Sequence, residues 1–194
     1  MEPTKQVNKE MWKYMLKFAL VGAIGFGIGN YIGWDAGILI DSPHHESYSQ
    51  YGFLIGFIKL SIGFMMSGVV GGFALGLVFK DVKKALLFAF VIAFGMCIGF
   101  MTRCVDTAYY NIIAGIIGAF ALGLIFKDIK KIILVTFGGM VGIVVGNIIV
   151  SDCIIFDAYG YCLFRVILNP MVVYGLIIGL TVGYLKYKDV LKNG

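Results

Sequence analysis

Gly68-Val69-Val70-Gly71-Gly72-Phe73-Ala74-Leu75-Gly76, followed shortly by Phe79-Lys80-Asp81-Val82-Lys83-Lys84, decides how this chain is read. At an offset of 47 (115 − 68) it returns as Gly115-Ile116-Ile117-Gly118-Ala119-Phe120-Ala121-Leu122-Gly123 and Phe126-Lys127-Asp128-Ile129-Lys130-Lys131. Each copy is a glycine-spaced apolar run that ends in a short, strongly charged turn. A glycine at every fourth position lies on one helix face, so a neighbouring axis can come close. The charged turn is not low-complexity sequence, and its repetition marks an internal duplication.

Working outward, six apolar stretches are long enough for a membrane, which takes about 20 residues at 1.5 Å each. They are approximately 15–34, 60–79, 85–102, 109–126, 132–150 and 171–187. The chain has 194 residues, 60% of them hydrophobic and 14% charged, with a mean hydropathy of +0.92. A water-soluble domain is usually about a quarter charged. The expected fold is all-α and integral to a membrane: one domain over 1–194, with six transmembrane helices.

A third copy of the pattern completes the plan. Gly175, Gly179 and Gly183 in the sixth stretch match Gly68, Gly72 and Gly76 at an offset of 107. In the odd stretches Gly25 and Gly29 correspond to Gly95 and Gly99, and to Gly142 and Gly146. Lys13, Lys83 and Lys130 then share one position near each helix start, and Gly29-Asn30 with Asp35 matches Gly146-Asn147 with Asp152. The unit is a helical hairpin, repeated at about 11–81, 82–128 and 129–189. Three hairpins in one orientation predict a pseudo-threefold axis along the membrane normal, with glycine-zipper packing between helices. The plan is similar to that of mitochondrial carriers. Their Pro-x-Asp/Glu-x-x-Lys/Arg motif is absent, however, and the only prolines are Pro3, Pro43 and Pro170, so that family is excluded.

Basic residues orient the chain. With the N-terminus inside, 13 of the 16 Lys and Arg fall on the inner side with five acids, and three fall outside with six. The balance is 13 − 5 = +8 inside and 3 − 6 = −3 outside. This asymmetry predicts a multi-pass cell-membrane protein with both termini cytoplasmic. Lys5, Lys9 and Lys13 precede the first stretch as they would in a signal peptide. That stretch lacks an A-x-A site and is read as a retained helix. The net charge of +5 sits in clusters at apolar ends, so nucleic acid is not an expected partner. The bilayer is, together with other membrane subunits or further copies of the chain. Asp81 and Asp128 are expected to cap the helices that follow them.

Candidate functional residues are few. Asn30, Lys59, Arg103, Asp106, Asn147, Asp152 and Arg165 form an expected polar layer at the outer helix ends. They are either interfacial charges paired across repeats or an outward vestibule for a solute. No ionisable residue falls at the midplane, which argues against an ion-coupled pump. Asn169-Pro170 reads as a helix start, with Asn as N-cap and Pro at the first position. Cys153 and Cys162 bracket one outer loop and are the favoured disulfide, with Cys104–Cys153 the alternative, while Cys97 reads as a packing residue. His44-His45 with Asp41 and Glu46 is too weak a cluster for a metal site. No cofactor, metal or enzymatic motif is expected. The function leaned to is permeation of a small solute or ion along the repeat axis. The alternative is a structural or accessory subunit that packs on other membrane chains through glycine faces.

Overall fold

The computed structural model describes residues 3–39, 50–101, 110–155 and 170–193, with side chains described for 9–33, 61–63, 65–98, 112–149 and 170–192. The described residues form six α-helices and no strand: α1 (Pro3–Leu39), α2 (Gln50–Leu77), α3 (Val82–Met101), α4 (Tyr110–Leu124), α5 (Ile129–Ile155) and α6 (Pro170–Asn193). Three segments are long and apolar enough to cross a membrane: Lys9–Gly33, Ile129–Ile149 and Pro170–Lys192. The first, of 25 residues, is about 37 Å long at 1.5 Å per residue, against a hydrocarbon core of about 30 Å.

The helices close into a ring. Each packs against its neighbours in sequence, and α6 closes on α1. Large apolar side chains line the outside, with Leu20, Ile24, Phe90, Phe94, Ile133 and Phe137 all more than half exposed. A contiguous apolar surface of this kind would drive a monomer to aggregate in water, and it suits contact with lipid. The inside is filled by Phe18, Phe26, Leu75, Phe88, Ile92, Met96, Leu122, Ile143 and Tyr174.

Neighbouring helices meet at backbone distance. A Cβ on Gly72 would stand 2.6 Å from the Phe88 carbonyl oxygen, and one on Gly68 2.6 Å from the Ala93 Cα. Gly22 and Gly175 pack directly on each other's backbone where α1 meets α6. A side chain on either would force the axes apart and forfeit the dispersion contacts between them.

The α2–α3 and α4–α5 turns have one geometry. Leu75–Lys80 and Leu122–Lys127 leave their helices through carbonyls accepting from the third residue on, with Phe79 N to Gly76 O and Phe126 N to Gly123 O both 3.0 Å. Lys80 and Lys127 then take the left-handed conformation, with φ of 56° and 52°. This is the position where helices most often end on glycine. Asp81 caps α3, its carboxylate accepting from the N–H of Lys83 (3.0 Å) and of Lys84 (3.3 Å). Asp128 caps α5 through the N–H of Lys130 at 2.9 Å. These are the caps expected from the sequence.

Two stability predictions follow from this geometry. Asp81→Ala and Asp128→Ala should each destabilise the protein by about 0.5–2 kcal/mol, while Lys80→Gly relieves left-handed strain worth about 1 kcal/mol. Reversible unfolding in lipid–detergent mixtures measures both, and a neutral Asp81→Ala would mean that the cap is dispensable. The Gly33–Gly63 contact should be directional. A Cβ on Gly33 meets the Gly63 backbone oxygen at 2.8 Å, whereas one on Gly63 finds nothing nearer than 3.8 Å. Gly33→Ala should cost about 1–3 kcal/mol by overpacking. Gly63→Ala should be neutral or stabilising by up to about 1 kcal/mol through helix propensity.

Candidate functional site: the filled axis of the bundle

The interior of the ring is where a solute path would run, so its contents decide what the bundle can do. Ser67 on α2, Ala114 on α4 and Tyr174 on α6 all face inward and are essentially inaccessible. Tyr174 reaches across to α4, where its hydroxyl donates to the Gly115 carbonyl at 3.1 Å. Its ring meets that of Phe26 edge-on, with centroids 5.1 Å apart. Phe26 in turn fills the place that a side chain on Gly71 would occupy. On the far side Gly118 leaves room for Met96 and the Tyr174 hydroxyl, which a Cβ there would meet at 3.0 and 3.4 Å. Large residues on α1 and α6 are thus matched by the absence of side chains on α2 and α4. This complementarity closes the axis at the level of Tyr174.

Polar groups inside are satisfied by backbone. Ser67 Oγ donates to the Phe26 carbonyl at 3.0 Å. Thr136, Asn147 and Thr181 each donate to the carbonyl four residues earlier, at 2.8–2.9 Å. Among the described residues no buried side-chain polar atom lacks a partner. Each buried side-chain polar atom among them thus has a protein partner and does not need water to satisfy it.

Aromatic rings gather at the end of the bundle that carries the two turns. Phe18–Phe79, Phe79–Phe88 and Phe88–Phe126 form a chain of edge-to-face pairs at 5.3, 5.3 and 6.4 Å. The Lys186 ammonium stands 5.5 Å from the Phe79 ring centre and Lys131 5.9 Å from that of Phe126. Lys131 also pairs with Asp189 at 2.6 Å, which fastens α5 to α6. Sequence reasoning treated Phe79 and Phe126 only as turn residues. Their recurrence before each left-handed lysine was the signal that they turn inward.

Of the expected outer layer, Asn30 and Asn147 are half-buried on α1 and α5. Each follows a glycine packed on a neighbour, Gly29 on Ser67 and Gly146 on Pro170. Lys59 and Asp152 lie in α2 and α5, with side chains outside the described residues. Arg103, Asp106, Arg165, Cys162 and His44-His45 lie wholly outside them, as does the side chain of Cys153. Apart from Asn30 and Asn147, the expected layer and the disulfide therefore fall outside the described side chains. Cys97 is a half-buried free thiol on α3. Among the glycines singled out in the sequence, Gly25, Gly95 and Gly142 pack on Ala74, Gly118 and Tyr174, and Gly76, Gly123 and Gly183 on Ala85, Ile132 and Met15. Gly115 packs on Ile143 and Gly179 on Phe18. The surroundings of Gly99 lie outside the described side chains.

Tyr174 carries most of this packing. Tyr174→Ala should cost about 3–5 kcal/mol through cavity formation. Tyr174→Phe and Ser67→Ala should each cost about 0.6 kcal/mol, as interhelical hydrogen bonds in membranes do. Unfolding midpoints of the three variants rank these effects, and a mild Tyr174→Ala would mean that the axis is loosely filled.

Comparison of the chain with known protein families, with characterised proteins and with solved structures finds no match, so the function is argued from the geometry above.

Proposed function

We propose that this chain is a six-span integral membrane protein, built as three parallel hairpins about a pseudo-threefold axis and joined by glycine zippers. Its role on this reading is structural: an accessory subunit that presents a rigid bundle to other membrane chains. Both termini face the cytoplasm.

Burial supports the repeat. The buried positions of α2 are 67, 68, 71, 72, 75 and 76, and those of α4 are 114, 115, 118, 119, 122 and 123, all displaced by 47. In α6 the positions 174, 175, 178, 179, 182 and 183, displaced by 107, are buried, together with 171, 185 and 187. Positions 18, 19, 22, 23, 25 and 26 of α1 likewise match 88, 89, 92, 93, 95 and 96 of α3 at an offset of 70. Contacts follow the same rule: Gly76 meets Ala85, Gly123 meets Ile132 and Gly183 meets Met15, each an even helix against the next odd one around the ring.

The single observation that supports the structural role is the burial of Ser67, Ala114 and Tyr174 in a filled axis. A permanently open path is incompatible with Phe26 and Tyr174 packed edge to face at its centre. A second reading, gated permeation of a small solute or ion, draws on one feature. The equivalent positions 67, 114 and 174 are Ser, Ala and Tyr, and 71, 118 and 178 are Gly, Gly and Ile. Among the even helices the bulk therefore comes from α6 alone, so movement of that helix would widen the axis.

Water access separates the two. Ser67→Cys, Ala114→Cys and Tyr174→Cys are made singly, with Cys97, Cys104, Cys153 and Cys162 replaced. Labelling by a charged, impermeant thiol reagent is timed in intact vesicles. The structural reading expects no labelling of the folded protein at positions 67 and 114. Fast labelling at both would overturn it in favour of a gated path. Labelling at 174 alone would report the loss of the tyrosine plug.

A further inference from the structure

Every charged residue whose side chain is described lies at one end of the bundle, where twelve lysines face four acids, 12 − 4 = +8. The acids are already engaged. Glu10 pairs with Lys13, and Asp189 with Lys131. Asp81 caps α3 and faces Lys84 at 3.7 Å, while Asp128 caps α5. Lys80 and Lys83 in one turn, and Lys127 and Lys130 in the other, are exposed and meet no carboxylate among the described residues. The left-handed backbone at Lys80 and Lys127 recurs in both turns, so the spacing of the two cations is built into the fold twice.

Directly along the helix from each pair runs an outward apolar stripe. Beside Lys83 stands Val82 and one turn on Leu86, 62% and 58% exposed, and beside Lys130 stands Ile129 and one turn on Ile133, 74% and 63% exposed. Two unneutralised cations above an apolar strip match the shape and charge of one class of molecule, which has an anionic phosphate head and a hydrocarbon tail.

We propose that each Phe-Lys-Asp-x-Lys-Lys turn binds an anionic phospholipid. Lys80 with Lys83, and Lys127 with Lys130, take the headgroup phosphate, and the stripes along α3 and α5 take acyl chain. This rests on the chain lying in a bilayer. It goes beyond a general excess of basic charge, because it assigns the lipid to two equivalent places.

The full chain is reconstituted in vesicles of equimolar phosphatidylcholine and phosphatidylglycerol, extracted in mild detergent, and its retained lipid quantified by mass spectrometry. Phosphatidylglycerol should be enriched over phosphatidylcholine. The quadruple variant K80Q/K83Q/K127Q/K130Q should lose at least about fivefold of that enrichment, the factor expected from even one lysine at an anionic surface. The charge-matched variant K9Q/K17Q/K188Q/K192Q should lose little. Free glycerol phosphate should not displace the lipid, because it lacks the chain that the stripe holds. Equal loss in both quadruple variants would mean diffuse attraction and overturn the proposal, provided that both keep the wild-type unfolding midpoint in phosphatidylcholine. Release of the wild-type chain from vesicles by alkaline carbonate would overturn the membrane reading itself. Retention without enrichment would remove the lipid sites alone.

Discussion

Helices in a bilayer gain little from hiding apolar surface from one another, since lipid is as apolar as they are. What holds such helices together is the number of atoms brought into contact. On the proposed membrane reading this constraint governs the whole bundle. The α1–α6 seam is made of backbone on backbone at Gly22, Gly175 and Gly179, and the α2–α3 seam of Gly68, Gly72 and Gly76 against α3. With so little side-chain volume between axes, the side chains that do point inward are pressed together at the centre. The filled axis is a consequence of the close seams. Thin walls leave a narrow interior, and a narrow interior is easily plugged by Phe26 and Tyr174.

Asymmetry is the second theme. The helices α2, α4 and α6 share a burial register, yet the residues in that register differ in size. A fully symmetric bundle would place three equal side chains on the axis, where they would clash or leave a gap. Pairing Tyr174 with Ala114 and Ser67, and Phe26 with Gly71, solves the packing problem by dividing volume unequally. One buried hydroxyl then fixes the arrangement by donating to the Gly115 carbonyl.

Much of the helical layout was legible in advance. Apolar length located the helices, and the repeated Phe-Lys-Asp-x-Lys-Lys located the inner turns and their Asp caps, because capping is a local interaction between residues two or three apart. Helix ends were less legible: α1 runs from Pro3 to Leu39 and α5 to Ile155, well past the apolar stretches, because backbone hydrogen bonding continues after hydropathy has fallen. The contents of the axis could not be read. Whether Tyr174 points to lipid or to Gly115 depends on how six helices rotate about their own axes, which no local pattern encodes. The same holds for the Lys131–Asp189 pair, which joins residues 58 apart in the chain.

Closure of α6 on α1 has a consequence for how the protein is made. Gly22 and Gly175 meet although 153 residues separate them (175 − 22). During synthesis α1 is made before α6, and its glycine face stays uncovered until α6 follows. Each intermediate helix adds a seam on one side only, so every partial product is an open arc with two unsatisfied edges. The ring can therefore close only once α6 has been made, and a chain stalled before α6 keeps a bare glycine edge on α1.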